Sequence, residues 1–406
     1  MRIRYSTEKN GRPVKKANVY TRDEHGIIFA DVDKDAAFIV ERLRSSGYET
    51  YIVGGAVRDL ILGKKPKDFD IVSAASPARI KKIFRNARII GRRFRLVHVY
   101  FGPKIFEVST FRSLKDGPTS NTFGTIEEDV LRRDFSLNAL FYDPQDQVVV
   151  DYVGGMKDIR ERRIRPIIPL DVIFRDDPVR MIRAVKYAAI AAFRLPFLLR
   201  WKIRKQSALL RSVSPSRLTE EILKIINSPA VARIVESLME FNLYAYLQPE
   251  ASALMQKHSD FRLRYIKTLT DLGCRNEGCP GSGESLAALV RDYLEDCVDW
   301  KADVAESYKN AFIAARKFVL PMNPPRVELD QGVRLIFREH GIVLKKARFF
   351  DRERPGARKK EGLPAVQEER GTGEGPGREG TVHRKQRRRS KASVRDNSGE
   401  SPTANL

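Results

Sequence analysis

The sequence predicts an α+β protein in which a mixed-sheet head precedes an all-helical neck, body and tail. Short apolar runs beside glycine turns occur through residues 31–155, a pattern typical of strands and short helices. From Asp177 onward, apolar residues recur at helical spacing. After about Arg348 the chain is rich in Gly, Glu, Arg, Lys and Ser, a composition that cannot bury a core.

These changes of composition predict five segments. They are a polar arm over 1–30, the head over 31–155, a helical neck over 156–245, a helical body and tail over 246–348, and a disordered basic tail over 349–406.

Hydrophobic periodicity also predicts the individual elements. In the head we expect strands at Tyr51–Val53, Asp68–Val72, Leu96–Phe101 and Ile105–Phe111, with helices at 31–45, Ala56–Leu62 and about Pro77–Phe84. Farther along we expect helices near 178–193, 198–210, 217–227, 229–242, 286–297, 300–317 and 328–340.

The net charge of +23 indicates a polyanionic partner. Such an excess attracts nucleic acid and suits nucleoside triphosphates, although a charged surface also serves solubility alone. The most apolar stretch, Tyr187–Leu199, is too short to span a bilayer, and the N-terminus lacks the pattern of a signal peptide. Three cysteines give no disulfide framework. We therefore expect a cytoplasmic monomer without a membrane partner.

Two carboxylates lie two residues apart in Asp68-Phe69-Asp70. On a strand they would point to the same face, while Phe69 would point to the other. Carboxylates on one face repel each other unless a cation lies between them, and Mg²⁺ takes such oxygen ligands together with substrate phosphates. The pattern alone is weak, because surface strands often carry alternating acidic residues.

A glycine turn upstream strengthens the metal prediction. Gly54-Gly55 ends a predicted strand and opens a helix that carries Arg58. Such a turn lets backbone N–H groups and a helix N-terminus approach a phosphate closely. The turn, the arginine and the aspartate pair together predict a triphosphate held by backbone groups and metal.

The stretch YIVGGAVRDLILGKKPKDFDIV, residues 51–72, resembles the head of the DNA polymerase β-type nucleotidyltransferases. It is similar to the branch that holds the bacterial poly(A) polymerases and the class II CCA-adding enzymes, and the resemblance extends to about Leu247. It implies that Asp68 and Asp70 hold two Mg²⁺ ions, which would activate an RNA 3′-hydroxyl and stabilise the departing pyrophosphate. Either Glu107 or Asp134 would supply a third carboxylate, and the sequence leaves both open.

Two further runs bear on nucleotide binding. RRDFSLN, residues 132–138, resembles the family segment that links head and neck, which implies that Arg133 contacts the nucleotide. In FRDDPVRMIR, residues 174–183, Asp177 suits a helix N-cap, and Arg180 and Arg183 then share one helix face.

The family resemblance makes this second run the base-recognition motif. It implies that Asp177 accepts from an exocyclic amine while Arg180 donates to the neighbouring ring nitrogen. Adenine and cytosine both present that pattern, whereas guanine and uracil do not. The motif therefore implies selection of ATP or CTP without a template, but it does not decide between a poly(A) and a CCA product.

The run IIGRRFRLVHV favours the poly(A) product. These residues, 89–99, resemble a stretch found in bacterial poly(A) polymerases, and we expect Arg92, Arg93 and Arg95 to contact RNA. The leading hypothesis is a polynucleotide adenylyltransferase that adds AMP from ATP to the 3′ ends of mRNA, small RNA or tRNA. The alternatives are a CCA-adding enzyme and an RNA-binding protein with an inactive head.

Overall fold

A computed structural model of the chain describes residues 2–7, 13–91, 95–113, 122–275 and 281–344. Within this part of the chain, a nine-stranded mixed sheet is followed by helices, which confirms the predicted fold class. The strands are β1 (Arg2–Thr7), β2 (Pro13–Tyr20), β3 (Thr50–Val53), β4 (Asp70–Ser73), β5 (Ala87–Ile90), β6 (Leu96–Phe101), β7 (Lys104–Thr110), β8 (Leu140–Asp143) and β9 (Val148–Asp151).

The strands are arranged in the order β1-β2-β9-β8-β3-β4-β7-β6-β5. The pair β4 and β7 is parallel, and the other adjacent pairs are antiparallel. The central strand β3 is buried along its whole length, so it is covered on both faces. This arrangement places the start of β4, with Asp70, beside β7.

Helices of the described residues are short in the head and longer beyond it. They are α1 (Arg22–His25), α2 (Lys34–Ser45), α3 (Gly55–Ile61), α4 (Pro77–Ile83), α5 (Ile126–Leu131), α6 (Gly155–Arg160), α7 (Ile173–Asp176), α8 (Val179–Ala191), α9 (Phe197–Gln206), α10 (Pro215–Ile226), α11 (Val231–Glu240), α12 (Tyr244–Leu247), α13 (Pro249–Lys257), α14 (Ser259–Arg275), α15 (Ser282–Cys297), α16 (Val304–Phe318) and α17 (Arg326–Glu339). Among the described residues, no helix has the length and apolar character that a bilayer span requires.

The core lies between one face of the sheet and the helices that cover it. Ile39 and Leu43 of α2 and Ile80 of α4 are fully buried, in the same apolar cluster as Val97 and Val99 of β6. Because side chains alternate along a strand, the residues of β6 that alternate with these valines face the other side of the sheet. That other face leads to the candidate site.

The segment predicted as a polar arm, residues 1–30, takes part in the sheet. Two strands, β1 and β2, lie in this segment, and β2 pairs with β9 so that Val19 is opposite Val150. The ladder uses backbone groups, which polar residues supply as well as apolar ones. Ala17 and Tyr20 of β2 are buried, although most of the strand's neighbours in sequence are polar.

The helix predictions agree with the structure to within a few residues in the second half of the chain. The segment predicted near 178–193 forms α8, and that near 286–297 forms the longer α15. Helices α12, α13 and α14 were not predicted. The predicted disordered tail, 349–406, lies outside the described residues.

Candidate active site

A cleft of about 400 Å³ opens where the head sheet meets the start of α8. Charged and polar side chains dominate its lining. Its lining residues are Val53, Asp70, Leu96, Glu107, Ser109, Arg112, Arg132, Arg133, Asp134, Asn138, Asp177, Arg180 and Arg183. The fold thus brings together seven of the predicted site residues from segments far apart in sequence.

The first group of residues in the cleft is acidic. In the parallel pair of β4 and β7, Ile71 is opposite Val108, so one residue earlier Asp70 lies beside Glu107. Asp68 precedes β4 and is not in the ladder, a correction to the predicted strand, which began at Asp68. The expected alternation nevertheless holds, because Asp68 and Asp70 are exposed while Phe69 is buried.

Electrostatics show that these carboxylates are crowded. The pKa of Asp70 is raised to about 6, first because the surrounding protein desolvates the carboxyl and then because Glu107 and Asp68 repel its negative charge. Arg133 acts in the opposite direction. A carboxylate set of this kind is suited to a hard divalent cation. Among the described residues, no three His, Cys, Asp or Glu side chains already stand at the spacing of a cation site.

Asp134, the competing third carboxylate, has different neighbours. Its Oδ1 accepts from the backbone N–H of Phe135 at 2.8 Å and from Nδ2 of Asn138 at 3.3 Å. Its Oδ2 lies 4.0 Å from a guanidinium nitrogen of Arg183. The geometry therefore places Glu107 beside Asp70, whereas Asp134 lies near Arg183.

The glycine turn lies directly next to the acidic group. Gly54 has a φ of +75°, a conformation that residues with a side chain rarely adopt. A Cβ at this position would stand 3.6 Å from Oδ2 of Asp70. Gly55 then begins α3, so the backbone approaches the carboxylate closely at the N-terminus of a helix.

Arg58, predicted to bind the nucleotide, is surrounded by protein groups. Its Nε donates to Asp59 at 2.8 Å, and Nη1 donates to Oδ1 of Asn138 at 3.0 Å. The guanidinium also lies 5.1 Å from the ring centroid of Tyr187, and only 7% of the residue is exposed. Arg58 does not line the cleft. It links α3 to the cleft residue Asn138 and to α8.

A buried aspartate holds two arginines at the cleft. Asp129 accepts from Nε of Arg132 at 2.7 Å and from Nη2 of Arg133 at 2.8 Å, and it is fully buried. Burial raises its pKa, but the attraction of Arg133 and Arg132 outweighs burial, so the pKa is lowered overall. Asp129 was not among the predicted site residues, although its spacing of three and four residues from the arginines is that of helical ion pairs.

The run that is predicted to recognise the base, residues 174–183, leads into α8. Oδ1 of Asp177 accepts from the backbone N–H of Val179 at 3.2 Å, but the N-cap of α8 is Pro178 and not the predicted Asp177. Oδ2 accepts from Nη2 of Arg217 at 2.8 Å. Arg180 is 8% exposed and donates to the carbonyl oxygen of Ile173 at 3.2 Å.

Arg183 connects the motif to α10. Its Nε donates to Oε1 of Glu221 at 3.0 Å, and Lys186 donates to Oε2 at 2.7 Å. Arg217 and Glu221 come from α10, and no pattern in the sequence linked them to the run at 174–183.

The residues predicted to bind RNA are Arg92, Arg93 and Arg95. Arg95 is exposed immediately before β6. Arg92 and Arg93 lie outside the described residues. RNA contact by these three arginines therefore stays a prediction.

Two family models match the chain. The model described as "Poly A polymerase head domain" matches residues 50–165. The model described as "Probable RNA and SrmB- binding site of polymerase A" matches residues 193–255. The first match contains the acidic group and the arginines held by Asp129, and the second contains α10.

The chain is similar to curated proteins of two kinds. Poly(A) polymerase I of Salmonella typhi is 41% identical over 279 residues, which cover 64% of this chain and 60% of the relative. Poly(A) polymerase I of Haemophilus influenzae is 38% identical over 268 residues, or 62% and 59% of the two chains. The CCA-adding enzyme of Geobacillus stearothermophilus is 37% identical over 220 residues, or 53% and 54%. The chain thus spans 60% or less of the length of these relatives.

Solved structures share the fold. The Bacillus stearothermophilus CCA-adding enzyme in complex with CTP is 27% identical, with a TM-score of 0.52 over 76% of this chain and 83% of that chain. The Thermotoga maritima CCA-adding enzyme complexed with tRNA has a TM-score of 0.51 over 78% and 73% of the two chains. At 20% identity, this second similarity shows the fold alone.

Proposed function

Because the chain belongs to the nucleotidyltransferase family that contains the bacterial poly(A) polymerases and the CCA-adding enzymes, we propose that it transfers AMP from ATP to RNA 3′ ends without a template. One observation carries the proposal. A single cleft holds the carboxylates of Asp70 and Glu107 together with Asp177 and Arg180 of the base-recognition motif. Phosphoryl chemistry and base selection therefore have their groups in the same place.

Asp68, Asp70 and Glu107 would hold Mg²⁺. All three are exposed carboxylates at the start of β4 or on the neighbouring strand β7, and oxygen ligands of this kind match the preference of Mg²⁺. When bound, two Mg²⁺ ions would lower the pKa of the attacking 3′-hydroxyl and neutralise charge on the triphosphate.

The chain's own cations bind the triphosphate. Arg132 and Arg133 line the cleft in positions fixed by Asp129. In the reaction, a bond forms between the RNA O3′ and the α-phosphorus, the bond from that phosphorus to the bridging oxygen breaks, and pyrophosphate leaves. The hydroxyl proton passes to solvent. Guanidinium groups oriented in advance stabilise the charge that develops on pyrophosphate.

Asp177 and Arg180 select the base. The carboxylate of Asp177 accepts from the N6 amine of adenine, and Arg180 donates to N1. Guanine and uracil place a carbonyl oxygen and an N–H at the equivalent positions. The carboxylate would then face another acceptor, and the guanidinium would face another donor. A buried donor or acceptor left without its partner costs about 1–3 kcal/mol, which is sufficient for useful discrimination.

The poly(A) product is favoured over CCA by sequence similarity. Identity reaches 41% over 279 residues with a poly(A) polymerase and 37% over 220 residues with a CCA-adding enzyme. The run at residues 89–99 points in the same direction. CCA addition is the second candidate, supported by the structural similarity to the enzyme in complex with CTP.

The product of the reaction tests the proposal. The protein is incubated with Mg²⁺ and each nucleoside triphosphate, on a generic single-stranded RNA and on tRNA that lacks its CCA end. We expect long A tracts on the generic RNA with ATP and little addition with GTP or UTP. Addition limited to C, C and A on the truncated tRNA would establish the second candidate. Tight RNA binding without incorporation of any nucleotide would indicate an inactive head.

A further inference from the structure

One face of the outer strands β5, β6 and β7 is open to solvent beside the cleft. Ile90 is 40% exposed and Ile105 is 53% exposed, and Arg88 is also exposed. The opposite face carries Val97, Val99 and Phe106, which lie in the core. The open face is therefore a sheet surface with its own set of side chains.

This open face is continuous with the acidic group of the cleft. Across the strands, His98 is opposite Glu107 and Arg88 is opposite His98. Asp70, Glu107, His98 and Arg88 thus form one row across four strands, about 14 Å long at the usual strand spacing. Nε2 of His98 lies 3.5 Å from Oε1 of Glu107, so the open face and the acidic group meet at these two side chains.

The chemistry of the open face suits single-stranded RNA. The ring of Tyr100 packs edge-on against His98, with centroids 6.4 Å apart, and the guanidinium of Arg88 lies 5.8 Å from the Tyr100 ring centroid. Sheet surfaces with aromatic rings stack unpaired bases, and arginines beside them contact the backbone phosphates. The net charge of +23 adds general attraction for a polyanion.

We propose that the open face, formed by Arg88, Ile90, His98, Tyr100 and Ile105, binds the last few nucleotides of single-stranded RNA and leads the 3′ end to Asp70 and Glu107. This inference rests on the proposed function, since it assigns a path to the RNA substrate of the same cleft. Tyr100 stacks on a base, and Arg88 contacts a phosphate. The path lies in the head, outside residues 193–255, to which the family model described as a probable RNA-binding site is matched.

Four variants test the open face. Tyr100→Ala removes the stacking ring, Tyr100→Phe keeps it, and Arg88→Ala removes the charge. Arg79→Ala is the matched control, because Arg79 is an exposed arginine on α4, which covers the opposite face of the sheet. Binding of a fluorescent single-stranded RNA is measured without ATP at several salt concentrations, and the KM values for RNA and for ATP are measured in the tailing assay.

We expect Tyr100→Ala to weaken RNA binding and to raise the KM for RNA by about tenfold, the usual size of one lost base stack. The KM for ATP should stay unchanged, and Tyr100→Phe should behave like the wild type. Arg88→Ala should lower the slope of log affinity against log salt by about one, whereas Arg79→Ala should not.

The two proposals fail in different ways. The open-face inference alone would be overturned if the wild type tails RNA but Tyr100→Ala and Arg88→Ala change neither the RNA affinity nor the KM values. A wild type that incorporates no nucleotide, yet loses RNA affinity on Tyr100→Ala, would overturn the proposed function and leave the RNA path standing. Melting temperatures of all four variants identify any that fail to fold, and Arg88→Ala, a change at an exposed residue, still tests the open face if Tyr100→Ala does not fold.

Discussion

Arg217 of α10 donates from Nη2 to Oδ2 of Asp177, at a distance of 2.8 Å. The other oxygen of Asp177 accepts from the backbone at Val179, so the carboxylate is fixed at both atoms. Each carboxylate oxygen has a second lone pair, which leaves room to accept from a base amine. Arg217 therefore orients the group that we propose recognises adenine.

Removing Arg217 should weaken nucleotide selection. Because this arginine is about half exposed, we expect Arg217→Ala to lower kcat/KM for ATP by on the order of fivefold, the upper range for an exposed ion pair. The kinetics of tailing with ATP as the single nucleotide measure this decrease in kcat/KM. Arg264→Ala is the control, because Arg264 pairs with Asp296 at 2.6 Å and the two arginine side chains are 48% and 47% exposed. Equal kcat/KM values for the two variants would exclude an orienting role.

Glu221 should make the protein sensitive to acid. Its side chain is buried, and burial raises its pKa, but Lys186 and Arg183 outweigh burial and lower the pKa overall. A carboxyl group whose pKa is lowered on folding stabilises the folded state. This contribution is complete above the unfolded pKa of about 4.3 and is lost as the pH falls through the folded pKa. The pKa of Lys186 is itself lowered, because desolvation of the ammonium outweighs its attraction to Glu221.

The test compares wild type and Glu221→Gln by denaturant unfolding between pH 7 and pH 3. We expect the wild type to lose more stability than the variant as the pH falls. At neutral pH, Glu221→Ala should cost about 3 kcal/mol, because it leaves Lys186 buried without its partner. Parallel pH profiles for the wild type and Glu221→Gln would contradict the account of this ion pair.

Gly54→Ala should impair both folding and catalysis. The φ of +75° makes a side chain costly by about 1–3 kcal/mol, and the new methyl group would stand 3.6 Å from Asp70. Gly63→Ala is the matched control, since Gly63 has a φ of +67° and nothing within 4 Å of a Cβ. Both variants should unfold at lower denaturant, but only Gly54→Ala should lose tailing activity in the folded state. Equal activity in the two variants would show that the turn does not matter for the reaction.

Arg58 and Arg133 should have separable roles. Arg58 is buried among protein partners, so Arg58→Ala should cost about 2 kcal/mol of stability by leaving Asn138 without its donor. Arg133 lines the cleft, so Arg133→Ala should raise the KM for ATP by about tenfold. Unfolding curves and ATP titrations measure the two effects. A rise in the KM for ATP with Arg58→Ala alone, at unchanged stability, would support direct nucleotide contact by Arg58 instead.

The parts of the site that could be predicted from the sequence are those in which neighbouring residues supply both the local conformation and the functional groups. Asp68-Phe69-Asp70, the Gly54-Gly55 turn and the start of α8 each combine a local conformation with the groups that it presents. The alternation around Phe69 is found in the structure, and Asp177 accepts from the backbone at the start of α8, although the N-cap is Pro178. Strands β1 and β2 were missed because they are rich in polar residues.

The remaining site residues depend on tertiary packing. The position of Glu107 beside Asp70 follows from the parallel pairing of β4 with β7, which sequence spacing does not specify. Arg217 and Glu221 reach the site because α10 packs near α8. Asp129 was the exception, since its helical spacing to Arg132 and Arg133 offered a local signal.

The most direct measurement is the rate of AMP incorporation on single-stranded RNA by Asp70→Asn, compared with Glu107→Gln and Asp134→Asn. Each change keeps the shape of the side chain and removes its charge. We expect Asp70→Asn to lose on the order of a thousandfold in rate, Glu107→Gln to be severely impaired, and Asp134→Asn to be the least affected. ATP and RNA affinities of the folded variants show whether binding survives. A folded Asp70→Asn variant that adds A tracts at the wild-type rate would contradict the proposal that this cleft is the catalytic centre.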